Sequence, residues 1–216
     1  CCCVHSNIER GLTMTDWLDS ALIILLVFSV YAVVHSLLAS LQAKTLAEQW
    51  FGINARRWYR LGYSLFVSTT LLPIVGLVVL LPALHLYTIP MPWVIGTGLI
   101  QLLAVTRVLN VVGLTGASRF LGVAQLSEVA EKAHQPDFVS TGWYASVRHP
   151  LYLFSLIVIW LTPVMNTNIL ALNLGMTAYF LIGSIFEEQK LVNEYGDVYR
   201  RYQQTVPRLI PRLKRR

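Results

Sequence analysis

The chain has 216 residues, 55% of them hydrophobic and only 13% charged, with a mean hydropathy of +0.56, which leaves too little charge for an ordinary soluble domain. The net charge of +6 and pI near 9.4 do not point to nucleic acid, because the basic residues sit beside apolar spans rather than on an aromatic-interleaved face. All three cysteines are Cys1, Cys2 and Cys3. Adjacent residues at one end cannot staple distant parts of a fold, so neither a disulfide framework nor a CxxC metal site is encoded.

In chain order, residues 1–13 lack the basic start and apolar run of a signal peptide. Met14 with the following Thr-Asp-Trp resembles a natural start, and the thirteen residues before it are expected to be a disordered or non-native leader. A first membrane span is expected from about Trp17 to Leu41, capped by Thr15 or Asp16. A polar connector carrying Lys44, Glu48, Arg56, Arg57 and Arg60 follows. No Asp, Glu, Lys or Arg occurs from Leu61 to Thr106, or again from His149 to Phe186. A spanning helix needs ~20 apolar residues, so each stretch is long enough for two crossings. Expected spans are Leu61 to about Leu81, Trp93 to about Leu114, Leu151 to Met165, and Ile169 to Phe186, the last two forming a hairpin about Asn166-Thr167-Asn168. Residues 115–148 read as a polar loop with short helical pieces, and the tail from Glu187 reads as a basic interfacial helix ending near Pro207 and Pro211.

The fold class is therefore all-α, a polytopic integral membrane protein with about five transmembrane helices. Residues 14–114 hold the first three, and 115–216 form a C-terminal region that gathers the chemistry. The connectors at 42–60, 115–148 and 187–216 fall on one side, and the turns at 82–92 and 166–168, which have no Lys or Arg, on the other. Cytoplasmic loops are enriched in basic residues, so the expected orientation has the C-terminus in the cytoplasm. The bilayer is the expected partner. No feature of the sequence sets an oligomeric state.

Ser140 to Tyr152 reads STGWYASVRHPLY. Gly142 allows a sharp turn and Pro150 suits the first turn of a helix, which fixes Arg148 and His149 at a helix entrance. Free N–H groups and the helix dipole there can receive a carboxylate. A plainer role is interfacial snorkelling of the two basic groups. A short hairpin, however, returns Glu187 and Glu188 to the face from which His149 departs. The glutamates could pair with Lys190, Arg200 or Arg201 as a solvated face, or one could hold the ammonium of an amino-acid-like ligand while the Arg-His entrance holds its carboxylate. Within the spans His35, Gln101, Arg107 and Asn110 are costly in lipid and should face protein or a cavity. They form either a buried hydrogen-bond network or the acceptor side of a site. Trp93, Trp143 and Trp160 read first as interfacial anchors or packing groups.

RHPLY at 148–152, with EEQKLVNEYGDVYRRYQQTVPRLIP from Glu187 to Pro211, resembles the C-terminal signature of isoprenylcysteine carboxyl methyltransferases and their bacterial relatives. The shared pattern is Arg148 to Tyr152, Glu187-Glu188, Tyr195-Gly196, Tyr199 with Tyr202, and Val206-Pro207. The resemblance covers roughly residues 136–211, and the segments VVHSLLAS at 33–40 and RRWYRLGYSLF at 56–66 look similar to NnrU-type membrane proteins and bacterial small-thiol methyltransferases. It implies a methyltransferase using S-adenosylmethionine (SAM), with no metal required. SAM would be bound by Asp137, Phe138, Val139, Tyr144, His149, Pro150, Leu151, Tyr152 and Glu187. Arg148 and Glu188 would orient or deprotonate the acceptor, and His35, Arg107 and Asn110 would line the acceptor side. The acceptor would be lipophilic or a small molecule: a thiol, a lipid amine or a carboxylate. At one position the sequence departs from the family: Gly183 stands where the namesake enzymes have a basic residue that recognises their substrate. Two other readings are a non-catalytic NnrU-like accessory protein and an NADPH-dependent membrane reductase of related architecture.

Overall fold

The computed structural model describes residues 14–52, 55–114 and 138–212. The leader, Asp137 and most of the loop at 115–148 lie outside them. Four helices are long and apolar enough to cross a membrane, and a fifth apolar helix is shorter. The protein is an all-α, multi-pass membrane protein.

The chain divides into two compact units, Cys1–Pro90 with Pro163–Met176, and Met91–Thr162 with Thr177–Arg216. In the first, helix α1 (Met14–Ala39) and helix α3 (Ala55–Leu80) are joined by α2 (Leu41–Phe51), a helix within the expected polar connector. Ser40 caps α2, its Oγ accepting from the Ala43 N–H at 3.2 Å. Side-chain hydrogen bonds tie α1 to α3. Tyr59 donates to the Leu38 carbonyl at 2.7 Å and His35 Nε2 meets Tyr63 Oη at 2.9 Å. In lipid, where apolar burial between helices gives little, such bonds supply association. Strand β1 (His85–Thr88) pairs antiparallel with β2 (Val164–Asn166), Tyr87 opposite Met165. The sequence does not announce this ribbon, because neither strand exceeds four residues. Asn168 is fully buried and donates to the Val78 and Leu81 carbonyls, groups that the end of α3 leaves without intrahelical partners.

In the second unit, α4 (Trp93–Leu114) packs on α5 (Pro150–Trp160). Ala104, Val111 and Phe154 form the buried cluster, with Val108, Trp143, Tyr144 and Leu151 against it. Gln101, one of the polar groups in the third span, donates to the Val158 carbonyl at 2.9 Å. Helix α5 stops at Trp160, short of the expected Met165. Pro163 is the reason: it lacks an N–H and pushes Thr162 away from helical dihedrals. Eleven residues rise only about 16 Å, against ~30 Å of hydrocarbon.

Helix α6 (Thr167–Tyr195) starts where Asn166 Oδ1 accepts from the Ile169 N–H at 2.8 Å. It continues beyond Phe186 to Tyr195, so the paired glutamates lie inside a continuous helix instead of at its mouth. Gly196, at φ +57°, breaks the chain into α7 (Asp197–Thr205), and a left-handed residue of this kind favours glycine. Tyr199 and Tyr202 are the buried face of α7.

Candidate active site

The segment leading to α5 is placed by aromatic packing. Phe138 contacts the rings of Tyr195, Tyr199 and Tyr202, with centroids 5.3, 5.6 and 5.1 Å away. Gly142, at φ +64°, opens a single 3-10 turn (Gly142–Ala145), which seats Trp143 edge-on against Phe154 at 4.9 Å. Tyr202 donates from its hydroxyl to the Tyr144 carbonyl. Burial pushes the Tyr202 hydroxyl up to about 12. Tyr144 and Tyr199 are also raised, first by burial, and the Glu187 carboxylate adds to the shift at Tyr144.

Arg148 is tied down on every side. Its backbone N–H donates to the Pro207 carbonyl at 2.9 Å, and the next N–H, of His149, donates to the Arg208 carbonyl at 3.1 Å. Its guanidinium grips Glu188 with two nitrogens, Nε to Oε1 at 2.8 Å and Nη2 to Oε2 at 3.2 Å. The remaining nitrogen, Nη1, donates to the Gln203 and Val206 carbonyls, both at 2.8 Å. Those carbonyls lie at the C-terminal end of α7, where the helix dipole favours a cation. Glu188 is 4% exposed and also accepts from Gln203 Nε2 at 2.9 Å and from Arg208. A buried carboxylate is tolerable only when paired and hydrogen-bonded to this extent.

His149, 5% exposed, presents one ring nitrogen to each glutamate. Nε2 lies 3.1 Å from Glu188 Oε1 and Nδ1 lies 3.4 Å from Glu187 Oε2. Tyr152, one helical turn along, donates to the same Glu187 oxygen at 2.9 Å. The His149 ring stacks on Tyr152 at 5.2 Å, and Tyr152 stacks on Phe180 of α6 at 4.9 Å. Glu187 is thus aimed by His149 at the entrance of α5 and Tyr152 in its first turn, yet stays 47% exposed. Its Oε1 takes no hydrogen bond among the described residues. Pro150 supplies no N–H, and the first-turn N–H groups after it, of Leu151 and Tyr152, have no intrahelical acceptor.

Phe138, Tyr144, Arg148, His149, Pro150, Leu151, Tyr152, Glu187 and Glu188 therefore gather in one unit, while Val139 is 40% exposed on the segment that enters it. Arg107 and Asn110 line a separate cavity with Trp143 in that unit. His35 belongs to the other unit, on Tyr63. Arg200 pairs with Asp197 at 3.2 Å and not with the glutamates. Gln203, Arg208 and Phe180 escape sequence reasoning. Only their place in or near the signature could have marked the first two, and a phenylalanine in an apolar span carries no signal at all.

A spanning helical fold that carries an aromatic-walled pair of carboxylates at a helix entrance is, by its relatives, a membrane methyltransferase. The methanethiol S-methyltransferase 1 of Bradyrhizobium diazoefficiens is 32% identical over 220 residues, covering 96% of this chain and 72% of that protein. A methanethiol S-methyltransferase of a Pseudomonas species is 42% identical over 93 residues, 42% of this chain and 36% of that protein. The one from Mycobacterium tuberculosis is 40% identical over 68 residues, 32% of this chain and 28% of that protein. The chain belongs to the methanethiol S-methyltransferase family. No family model matches it, and no solved structure does.

Proposed function

We propose that this protein transfers a methyl group from SAM to a small thiol, methanethiol being the acceptor its relatives' names indicate, at the cytoplasmic face of a bacterial inner membrane. The observation that carries the reading is Glu187: a half-exposed carboxylate with one oxygen fixed by Tyr152 and His149 and the other without a hydrogen bond among the described residues.

The residues suit an amino-acid sulfonium. The open oxygen of Glu187 can accept from an ammonium or hydroxyl group. The N–H groups at the start of α5 suit a carboxylate, and the Tyr144 ring can offer a face to a sulfonium cation, both faces of Tyr152 being taken by His149 and Phe180. SAM supplies an electrophilic methyl group and a thioether leaving group. The protein has to hold the donor, align the acceptor behind the methyl carbon and keep water out. Asp137 to Val139 complete the proposed donor site, with Phe138 anchoring the segment among three tyrosines.

Arg148 and Glu188 are assigned here as positioning residues in place of acceptor-handling groups. The Arg148 nitrogens described above and both Glu188 oxygens are committed to protein partners, so the pair fixes His149 and through it Glu187. Gly183 stands one turn before Glu187, and a Cβ added there would meet nothing within 4 Å, which fits an acceptor without a carboxylate to recognise.

Incubating the purified protein with methyl-labelled SAM and methanethiol tests the proposal. Labelled dimethyl sulfide in the headspace, lost in Glu187→Ala, is the expected result. Absence of product, together with no SAM binding by calorimetry, overturns it.

A further inference from the structure

We propose that Arg107 holds the acceptor as its anion, in the cavity it forms with Asn110 and Trp143. This role deepens the methyltransferase reading and rests on it for the identity of the acceptor as a thiol.

Arg107 lies on α4, inside a segment apolar enough to cross a membrane. Its guanidinium carbon sits 5.2 Å from the centre of the Trp143 ring. Among the described residues no carboxylate pairs with it and no carbonyl accepts from it. Stacking satisfies the face of a guanidinium but leaves its edge, with five N–H donors, to be used. An ionised side chain in such a helix is costly unless it faces a cavity or an opposite charge. Here it faces a cavity of about 500 Å³, walled by Leu109, Asn110 and Trp143 and by two residues without side chains, Gly113 and Gly142. An anion would suit that edge.

Consecutive residues link that cavity to the donor-side cluster: Trp143 lines the cavity and Tyr144 belongs to the cluster, and both pack against Ala104, Val111 and Phe154. A neutral thiol is a weak nucleophile, and a nearby cation raises its thiolate fraction. In the transfer the thiol proton leaves to solvent, the thiolate sulfur forms a bond to the methyl carbon, and the bond from that carbon to the sulfonium sulfur breaks. Its electron pair stays on the donor, giving a neutral thioether on each side. A lipid phosphate could satisfy the same guanidinium, so the experiment has an arm for each source.

The test compares wild type with Arg107→Gln and Arg107→Lys. Arg107→Gln should lower kcat/KM for methanethiol at least about tenfold and move the acidic limb of the kcat profile up by about one pH unit, with SAM affinity unchanged. The deficit should grow with thiol pKa, and Arg107→Lys should recover part of it. Independently of turnover, ethanethiol is titrated calorimetrically into the S-adenosylhomocysteine complex in buffers of different ionisation enthalpy. Wild type should release about one proton, and Arg107→Gln none. Turnover by wild type with an unaltered limb in Arg107→Gln overturns the inference while leaving the methyltransferase reading intact. So does loss of only a co-purifying anionic phospholipid, which would assign the site to a headgroup. Proton release on thiol binding without any methyl transfer overturns the methyltransferase reading and keeps the anion site; no proton release in wild type overturns the site.

Discussion

Arg148 and Glu188 meet through two hydrogen bonds, 2.8 and 3.2 Å long, where their side chains are only 10% and 6% exposed. Removing one member leaves the other as an uncompensated buried charge. Glu188→Ala should therefore destabilise the protein by about 3 kcal/mol, read as a lower melting temperature in detergent. Arg148→Lys should recover little, because an ammonium cannot reproduce the planar fork. A Glu188→Ala protein that melts with wild type would remove the pair from its positioning role.

Glu187→Gln gives the contrasting result. The side chain is half exposed and its second oxygen is open, so thermal stability should stay near that of wild type. SAM affinity should fall at least about tenfold, since a charge-assisted bond is lost. Calorimetry with SAM separates the two glutamates: a strong loss of binding without loss of stability at 187, and both together at 188.

Tyr152→Phe keeps the ring between His149 and Phe180 but removes the donor to Glu187. Losing one hydrogen bond of about 1 kcal/mol should weaken SAM binding roughly fivefold. Tyr152→Ala, which also removes the stack, should weaken it further. Equal effects of the two would mean that the stack has no part in aiming Glu187.

Alkaline stability follows from the tyrosines around α7. An unfolded tyrosine titrates near pH 10, while Tyr202 holds its proton to about 12 and Tyr144 and Tyr199 are shifted the same way. Between those values the unfolded chain loses protons that the folded one retains, which favours unfolding. The stabilisation is whole below about pH 10 and is lost as pH rises through about 12. Melts across that window should show the decline, and Tyr202→Phe should flatten it.

Two glycines of α6 should respond in opposite directions. A Cβ at Gly175 would lie 2.8 Å from Cδ1 of Phe28, a ring only 5% exposed, so Gly175→Ala should cost about 1–3 kcal/mol through overpacking. At Gly183 nothing lies within 4 Å, and Gly183→Ala should be neutral or stabilising by up to about 1 kcal/mol from helix propensity. Melting temperatures of the two variants check both signs.

The spans are legible in the sequence because lipid leaves only hydropathy and length to satisfy. Trp93 to Leu114 agrees with the helix end to end. The end of α5 is not legible, because a run of apolar residues hides the effect of Pro163. Nor is the continuation of α6 past Phe186, since a change from apolar to charged looks like a helix end where only the environment changes. The juxtaposition of His149 with the two glutamates follows from the hairpin and the signature. What separates Glu187 from Glu188 does not. The difference is set by Gln203, Val206 and Arg208, which meet Arg148 and Glu188 across long stretches of chain, and no local pattern encodes such partners.

The hold of Val206 to Arg208 on Arg148 and His149 also has a bearing on biogenesis. A ribosome delivers residue 148 to the membrane well before residue 208 leaves the exit tunnel, so the guanidinium waits, unsheathed, for its carbonyls. Once Glu188 has followed, it has its charge partner but lacks Gln203 and Arg208 until they emerge in turn. The cluster around Arg148 is therefore complete only once residues 206–208 have joined it, and a truncation before Val206 should leave the buried Arg148–Glu188 pair without those carbonyls and donors.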